Sequence, residues 1–356
     1  MARSFKNLLG DDSVSTRTLL HEAIPITGTI SSGTYSDNNI KTFTHGMFES
    51  VYDYPYLSSS ANHIFDLTFG HSSVASSSAA GMAQNAKKLN IYNQMAQVLM
   101  GYDVSGNIRK FDSDGTLDVA GTGQMNHCFF MNFSRLLTKD EIKKNTFRLA
   151  MYTSGTVESN GSGRKTLKTL GDYLSANQFR TSPAGDYGLI FTASTAVSGE
   201  ESQSVGLVFY QAGIAVLSSS IFLQEFGAPG DEITVGDSDA EGTGILYAQS
   251  GSTIDQLANG FRHQIDDIDF NNTIELNSQI YFCRINHNEY NYSSNPTYVS
   301  GSKIRVKNNV NDLPVSYITT VGLYSPDNEL MAVAKLSEPI RKDPNTELTL
   351  RVRLDY

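Results

Sequence analysis

The eight residues "LTLRVRLD", Leu348–Asp355, alternate without a break: Leu348, Leu350, Val352 and Leu354 against Thr349, Arg351, Arg353 and Asp355. Successive side chains of a strand point to opposite faces, so a period of two with guanidinium groups on one side predicts a strand buried on one face and wet on the other. A helix would spread those leucines around its whole circumference. The same constraint reaches back to about residue 270, through "TIELNSQIYFCRINH", "KIRVKNN", "SYITTVGLY" and "ELMAVAKL". Between the last two, Pro326 suits the second position of a type I turn and Asn328 suits its exit. Tyr317–Tyr324 is therefore expected to pair antiparallel with Glu329–Leu336. The composition agrees: 18 Tyr, 18 Phe and 29 Gly, with many Ser and Asn, favour pleated surfaces joined by turns.

Upstream, helices are few. "SAAGMAQNAKKLNIYNQMAQVLM", residues 78–100, places Met82, Ala86, Leu89, Ala96 and Leu99 at helical spacing, widened by Ile91, Met95 and Val98. Gln84, Lys87, Lys88, Gln94 and Gln97 mark its polar side, and Gly101 suits its end. "TKDEIKKN" reads as a short helix capped by Thr138, with Glu141 completing a capping box. "STIDQLANGFRHQIDDI" reads as a third helix starting at Ser252 or Thr253. "HIFDLTFG" alternates as a half-buried strand, "HCFFMNFSRLL" as a central one, and "GLVFYQAGIAVLSSSIFL" as a buried strand or strand pair. "VSGNIRKFDSDGTLDVAGTG" carries two hairpin turn signals. The expected fold class is α+β and β-rich: antiparallel sheets with a few helices and a C-terminal all-β region. Three parts are expected: an N-terminal arm over 1–40, an α+β central domain over 41–268, and a C-terminal β region over 269–356 that is separate or shares one sheet with the central domain.

Net charge is −10 and no basic block stands out, which disfavours a large nucleic-acid surface. Cys128 and Cys283 lie far apart, each in an apolar run, and read as reduced structural thiols. The opening residues lack the apolar core of a secretory signal, and no stretch reaches the length of a membrane helix. A soluble chain made in the cytosol is expected, with no membrane contact.

Each candidate motif falls short of its chemistry. "FGHSSV" (Phe69–Val74) approaches the serine-hydrolase elbow but has Val74 where the tight turn needs glycine. In "HCFF", His127 and Cys128 are adjacent on a strand and point apart, so they are no dyad. "GSGRKT" (Gly161–Thr166) has Arg164 where a phosphate loop needs glycine. "DSDAEG" (Asp237–Gly242) lacks the closing glutamate of a calcium loop, Ala248 standing there, and "KFDSDG" starts with Lys110 instead of an acid. "HQIDDIDF" puts His263 and Asp267 on one face if helical, too few ligands for a metal. "CRINH" lacks a second ligand pair. No catalytic residue, cofactor or metal is expected.

The strings "VGLYSPDNELMAVAKLSEPIRKD", "LRVRLDY" and "NEYNYSSNPTY", with "VYDYPYLSSSANHIFDLTFG", "KKLNIYNQMAQVLMG" and "FMNFSRLLTKDEIKK" upstream, resemble virion structural proteins of marine tailed bacteriophages, those of cyanophages above all. The resemblance covers most of the chain. It implies a non-enzymatic virion subunit, made in host cytoplasm, whose partners are copies of itself and other virion proteins. A tail, baseplate or neck position is expected first, a capsid-surface or decoration role second, and a glycan-acting tail hydrolase third. Apolar residues in the polar N-terminal stretch, Leu19, Leu20, Ile24, Ile26 and Ile30, are the expected subunit contacts, the alternative being that they pack on their own domain.

Overall fold

A computed structural model describes residues 5–25, 37–74, 83–115, 123–154, 165–193, 204–222, 226–228, 231–233, 251–293, 296–301, 303–305, 307, 309 and 311–356. In chain order its elements are β1 (Ser13–Pro25), β2 (Ile40–Lys41), β3 (Glu49–Tyr52), β4 (His63–His71), α1 (Asn85–Leu99), β5 (His127–Phe133), α2 (Arg135–Thr138), β6 (Glu141–Ile142), β7 (Arg148–Ser154) and β8 (Lys165–Gly171). There follow β9 (Arg180–Ser182), β10 (Gly185–Thr192), β11 (Gly206–Phe209), β12 (Ile214–Ser218), β13 (Phe226–Ala228), β14 (Asp231–Ile233), α3 (Ile254–Gln264), β15 (Ile265–Ile285), β16 (Val299–Ser300), β17 (Lys303–Ile304), β18 (Ser316–Tyr324), β19 (Leu330–Lys342) and β20 (Leu348–Asp355). The protein is β-rich with large antiparallel sheets and few helices, as the alternation predicts. Contacts divide it into two units: residues 20–274, and residues up to 19 with 275–356.

In the larger unit the strands run β15-β7-β8-β10-β11-β12-β5-β4-β3-β2. Antiparallel ladders join β4 to β5 from Phe65↔Phe133 to His71↔His127, and β5 to β12 from Asn132↔Ile214 to Cys128↔Ser218. Both faces of β4 and β5 are covered. Phe65, Leu67, Phe69, Phe129, Met131 and Phe133 enter one core with Leu149, Met151 and Ile268 from the far strands and Leu257 and Phe261 of α3. Cys128 and Phe130 enter a second core with Leu207, Phe209 and α1. The expected half-buried β4 is thus corrected: a helix covers its second face, and Thr68 is buried there with its hydroxyl on Met47 O.

The described part of the first helix starts at Asn85 and ends before Gly101, whose φ of +75° suits glycine. Leu99 is buried, as its spacing predicts, and Leu89 is half-buried. The inward stripe is Lys88, Ile91, Tyr92, Ala96 and Leu99, whereas Val98 is 65% exposed. The stripe is rotated from the predicted one: the helix backbone at Lys88 and Tyr92 docks on Gly70, where no side chain stands in the way. A Cβ on Gly70 would lie 2.8 Å from Tyr92 N and 2.9 Å from Lys88 O.

Other expectations shift locally. α2 ends at Thr138 instead of starting there: Lys139 turns to φ +55° and Glu141 enters β6, which pairs with β15. α3 has the expected start, with Thr253 Oγ1 accepting from Gln256 N and the Gln256 side chain accepting from Thr253 N. It stops at Gln264, so Asp266, Asp267 and Asp269 lie on β15. "GLVFYQAGIAVL" forms the β11–β12 hairpin. The two expected hairpin turns are present in short form, as the antiparallel bridges Tyr102↔Ile108 and Asp112↔Gln124, with Asp103 N donating to Asn107 O and Ser113 N to Gly123 O. "KIRVKNN" contributes, among its described residues, the two strand residues of β17.

In the smaller unit, β20 pairs with β15 over eight consecutive residues, Ser278↔Asp355 to Ile285↔Leu348. β18 and β19 pair antiparallel in a two-stranded sheet of their own, with the expected partners from Thr320↔Lys335 to Tyr324↔Leu330; a register shift after Ile318 sends Tyr317 and Ile318 to Arg341 and Ile340, beyond the expected Leu336.

Candidate assembly surface

The sites suggested by sequence chemistry resolve into structural features. Ser72 is buried and its hydroxyl donates to Asn126 Oδ1 at 2.6 Å, which holds it away from solvent. Cys128 is buried with Sγ 3.5 Å from Met125 O, and burial pushes its thiol pKa well up, the opposite of an activated nucleophile. Cys283 is half-buried and, like Cys128, free. His263 Nδ1 meets Asn259 O within α3, and the end of that helix separates it from Asp267. His287 sits 3.1 Å from Glu347 at the surface. "DSDAEG" and most of "GSGRKT" lie outside the described residues. No group of three or more His, Cys, Asp or Glu among the described residues is placed to hold a metal ion.

Two polar clusters escaped the sequence reading. His71 and His127 face each other across β4 and β5, ring centroids 6.1 Å apart, with Lys88 of α1 nearby. Lys88 is fully buried, its ammonium donates to Ser252 O at 2.6 Å, and burial lowers its pKa to about 8. Burial lowers both histidines too, His127 to about 4, with the neighbouring positive groups adding to it. The second cluster surrounds Asp172, which is wholly buried. It accepts from Asn145 N (2.7 Å), Phe147 N (3.0 Å), Arg148 Nη1 (3.1 Å), Ser175 Oγ (2.7 Å) and Tyr210 Oη (2.9 Å). Five donors on one carboxylate make a rigid tie, with no lone pair turned to solvent for catalysis.

The unusual feature lies on the surface of the smaller unit. In the β18–β19 ribbon, Tyr317 is 51% exposed, Leu330 53%, Met331 70% and Val333 51%. Val321↔Ala334 and Leu323↔Ala332 share one face and are half-buried; Gly322↔Val333 shares the other and is exposed. The ribbon is anchored at its base. Lys342 is fully buried, and its ammonium donates to His287 O, Asn291 Oδ1 and Asp343 O. Ser316 Oγ donates to Tyr290 O at 2.5 Å. At the turn end, Phe5 packs edge-on against Tyr324 with centroids 4.9 Å apart.

Among the predicted contact residues, Leu19 and Leu20 on β1 are 44% and 48% exposed. Ile24 instead packs against the core of the larger unit. Ile26 and Ile30 lie outside the described residues. β1 is held by Arg17 to Glu275 (2.5 Å) and His21 to Thr273 (3.2 Å), and just before it Asp12 meets Arg284 (2.6 Å). The pairing of β18 with β19 was legible in their alternation; the exposed apolar set was not. What the alternation could not give was which face another element would cover.

No protein-family model, no curated protein and no solved structure matches this chain.

Proposed function

We propose that this chain is a non-enzymatic structural subunit of a bacteriophage virion, in the tail, baseplate or neck, acting through contacts with copies of itself and with other virion proteins. The observation that carries the reading is the ribbon. A two-stranded sheet is marginal in water on its own, and this one keeps leucine, methionine, valine and tyrosine side chains in solvent. Such a segment gains stability when a neighbouring chain covers it. The exposed leucines of β1 add to the same surface chemistry, and the resemblance of the quoted strings to marine phage virion proteins supplies the kind of particle.

The test is to purify particles of a phage encoding this chain, identify their proteins by mass spectrometry, and locate the subunit in a particle map. The expected result is six or twelve copies in a ring of the tail, baseplate or neck. Copies at icosahedral sites would move it to the capsid surface, and absence from the particle would overturn the reading.

A further inference from the structure

β20 has a partner on one edge only: among the described strands it pairs with β15 and nothing else. Asn277 and Tyr356 exchange both backbone hydrogen bonds, at 3.3 and 2.8 Å. In an antiparallel ladder such pairs alternate with pairs whose polar groups point away. Counting back from Tyr356, residues 354, 352 and 350 direct their N–H and C=O groups at β15. Thr349, Arg351, Arg353 and Asp355 direct theirs at the open edge. The eight pairs run without a register shift, and β20 contains no proline. An edge with neither bulge nor proline is a template for another strand, and the charges of Arg351, Arg353 and Asp355 restrict which one.

The occupant must be an edge strand itself, and charge selects among the candidates in this chain. Two β20 strands pairing about a two-fold axis would set guanidinium groups opposite or beside one another, which is unfavourable. The exposed side of β19 carries Lys335 and Arg341. β18 carries no charge from Ser316 to Tyr324, pairs with β19 alone among the described strands and so has an edge of its own, and runs without a register shift from Thr320 to Leu323, the stretch that can meet β20. Its alternation of half-buried Val321 and Leu323 with exposed Thr320, Gly322 and Tyr324 matches that of Leu350, Val352 and Leu354 with Thr349, Arg351 and Arg353. Apolar faces then coincide, and the Tyr324 ring falls on the arginine face, a favourable pairing.

We infer that β18 of one copy adds to the open edge of β20 in the next, a head-to-tail contact by strand addition. Donor and acceptor differ, so each copy offers one of each, and repetition gives a ring or a filament instead of a closed dimer. This deepens the reading of the chain as an assembly subunit, and it is tested on purified protein, so its outcome is separate from that of the particle experiment.

The full chain is followed by sedimentation velocity and by backbone amide exchange across a concentration series. The wild type is expected to form species larger than a dimer. On assembly, the amides of Thr349, Arg351, Arg353 and Asp355 and those of the open edge of β18 should slow together by about tenfold or more. Arg351→Pro removes an outward N–H without touching the ladder to β15. It should leave the melting of dilute protein unchanged and abolish assembly. Protein that stays monomeric, a folded Arg351→Pro variant that still assembles, or slowing at β20 without slowing at β18 overturns the inference. If Arg351→Pro fails to fold, exchange of the wild type alone decides by the same criterion.

Discussion

Single side chains carry much of the stability here because several are buried charges. Asp172 is the clearest. Replacing it with alanine takes the acceptor from Phe147 N and Tyr210 Oη and one of several partners from Asn145 N, Ser175 Oγ and Arg148, and should cost about 2–5 kcal/mol by chemical denaturation. Tyr210→Phe removes one donor from the same carboxylate and should cost about 1–3 kcal/mol. The His71–His127–Lys88 cluster gives a pH dependence of definite sign. Both rings titrate lower in the folded chain than the ordinary value of 6.5, His127 at about 4. Below pH 6.5 the unfolded chain takes up protons first, so stability is full above that pH and falls as pH drops toward 4. His127 alone should account for about 1–3 kcal/mol of that loss. His127→Gln should flatten denaturation midpoints measured across this window. A midpoint that falls just as steeply in the variant would assign the acid sensitivity elsewhere.

Among the elements, α1 is held by its close approach to β4. Gly70→Ala pushes a methyl group into the backbone of Tyr92 and Lys88, which cannot swing aside as a side chain could. It should cost about 1–3 kcal/mol in thermal or chemical unfolding. Leu99→Ala leaves a cavity in the second core and should cost about 2–5 kcal/mol. The contrast shows what the sequence could tell. Leu99 was readable from helical spacing alone. So were the β18–β19 pairing, the inward leucines of β20 and the capping box of α3, all of which depend on neighbours close along the chain. Lys88 was not readable, because the carbonyl that holds it belongs to Ser252, 164 positions away. Nor was the second buried face of β4, which exists because α1 folds back over it. "TKDEIKKN" misled because a valid capping pattern lost to a strand pairing with β15. The Asp172 cluster gave no signal, its donors coming from segments spread between Asn145 and Tyr210.

For the molecule as a whole, the prediction is that assembly and folding separate. β1 lies beside β15 and is tied to it by Arg17 and His21, so removing residues 2–30 deletes a full strand of the sheet. A deletion that folds but does not enter particles marks the N-terminal stretch as a contact; one that unfolds marks it as part of its own domain. Leu19→Ser with Leu20→Ser is the gentler version. Because each side chain is already nearly half exposed, stability should fall by less than about 1 kcal/mol. Incorporation should fall if neighbours cover them.

The anchoring of the ribbon also determines how it bears load. A pull on the tip along the ribbon axis stretches both strands together, so covalent backbone takes the tension and the ladder between them is not unzipped. The weakest link moves to the base, where Lys342 grips the carbonyls of His287 and Asp343 and the Asn291 side chain while Ser316 holds Tyr290 O. A segment tethered in this way behaves as a stiff strap whose polar fastening lies at one end, with the Phe5 ring resting on Tyr324 near the other. Yielding would begin at the buried ammonium, leaving the apolar surface at the far end intact.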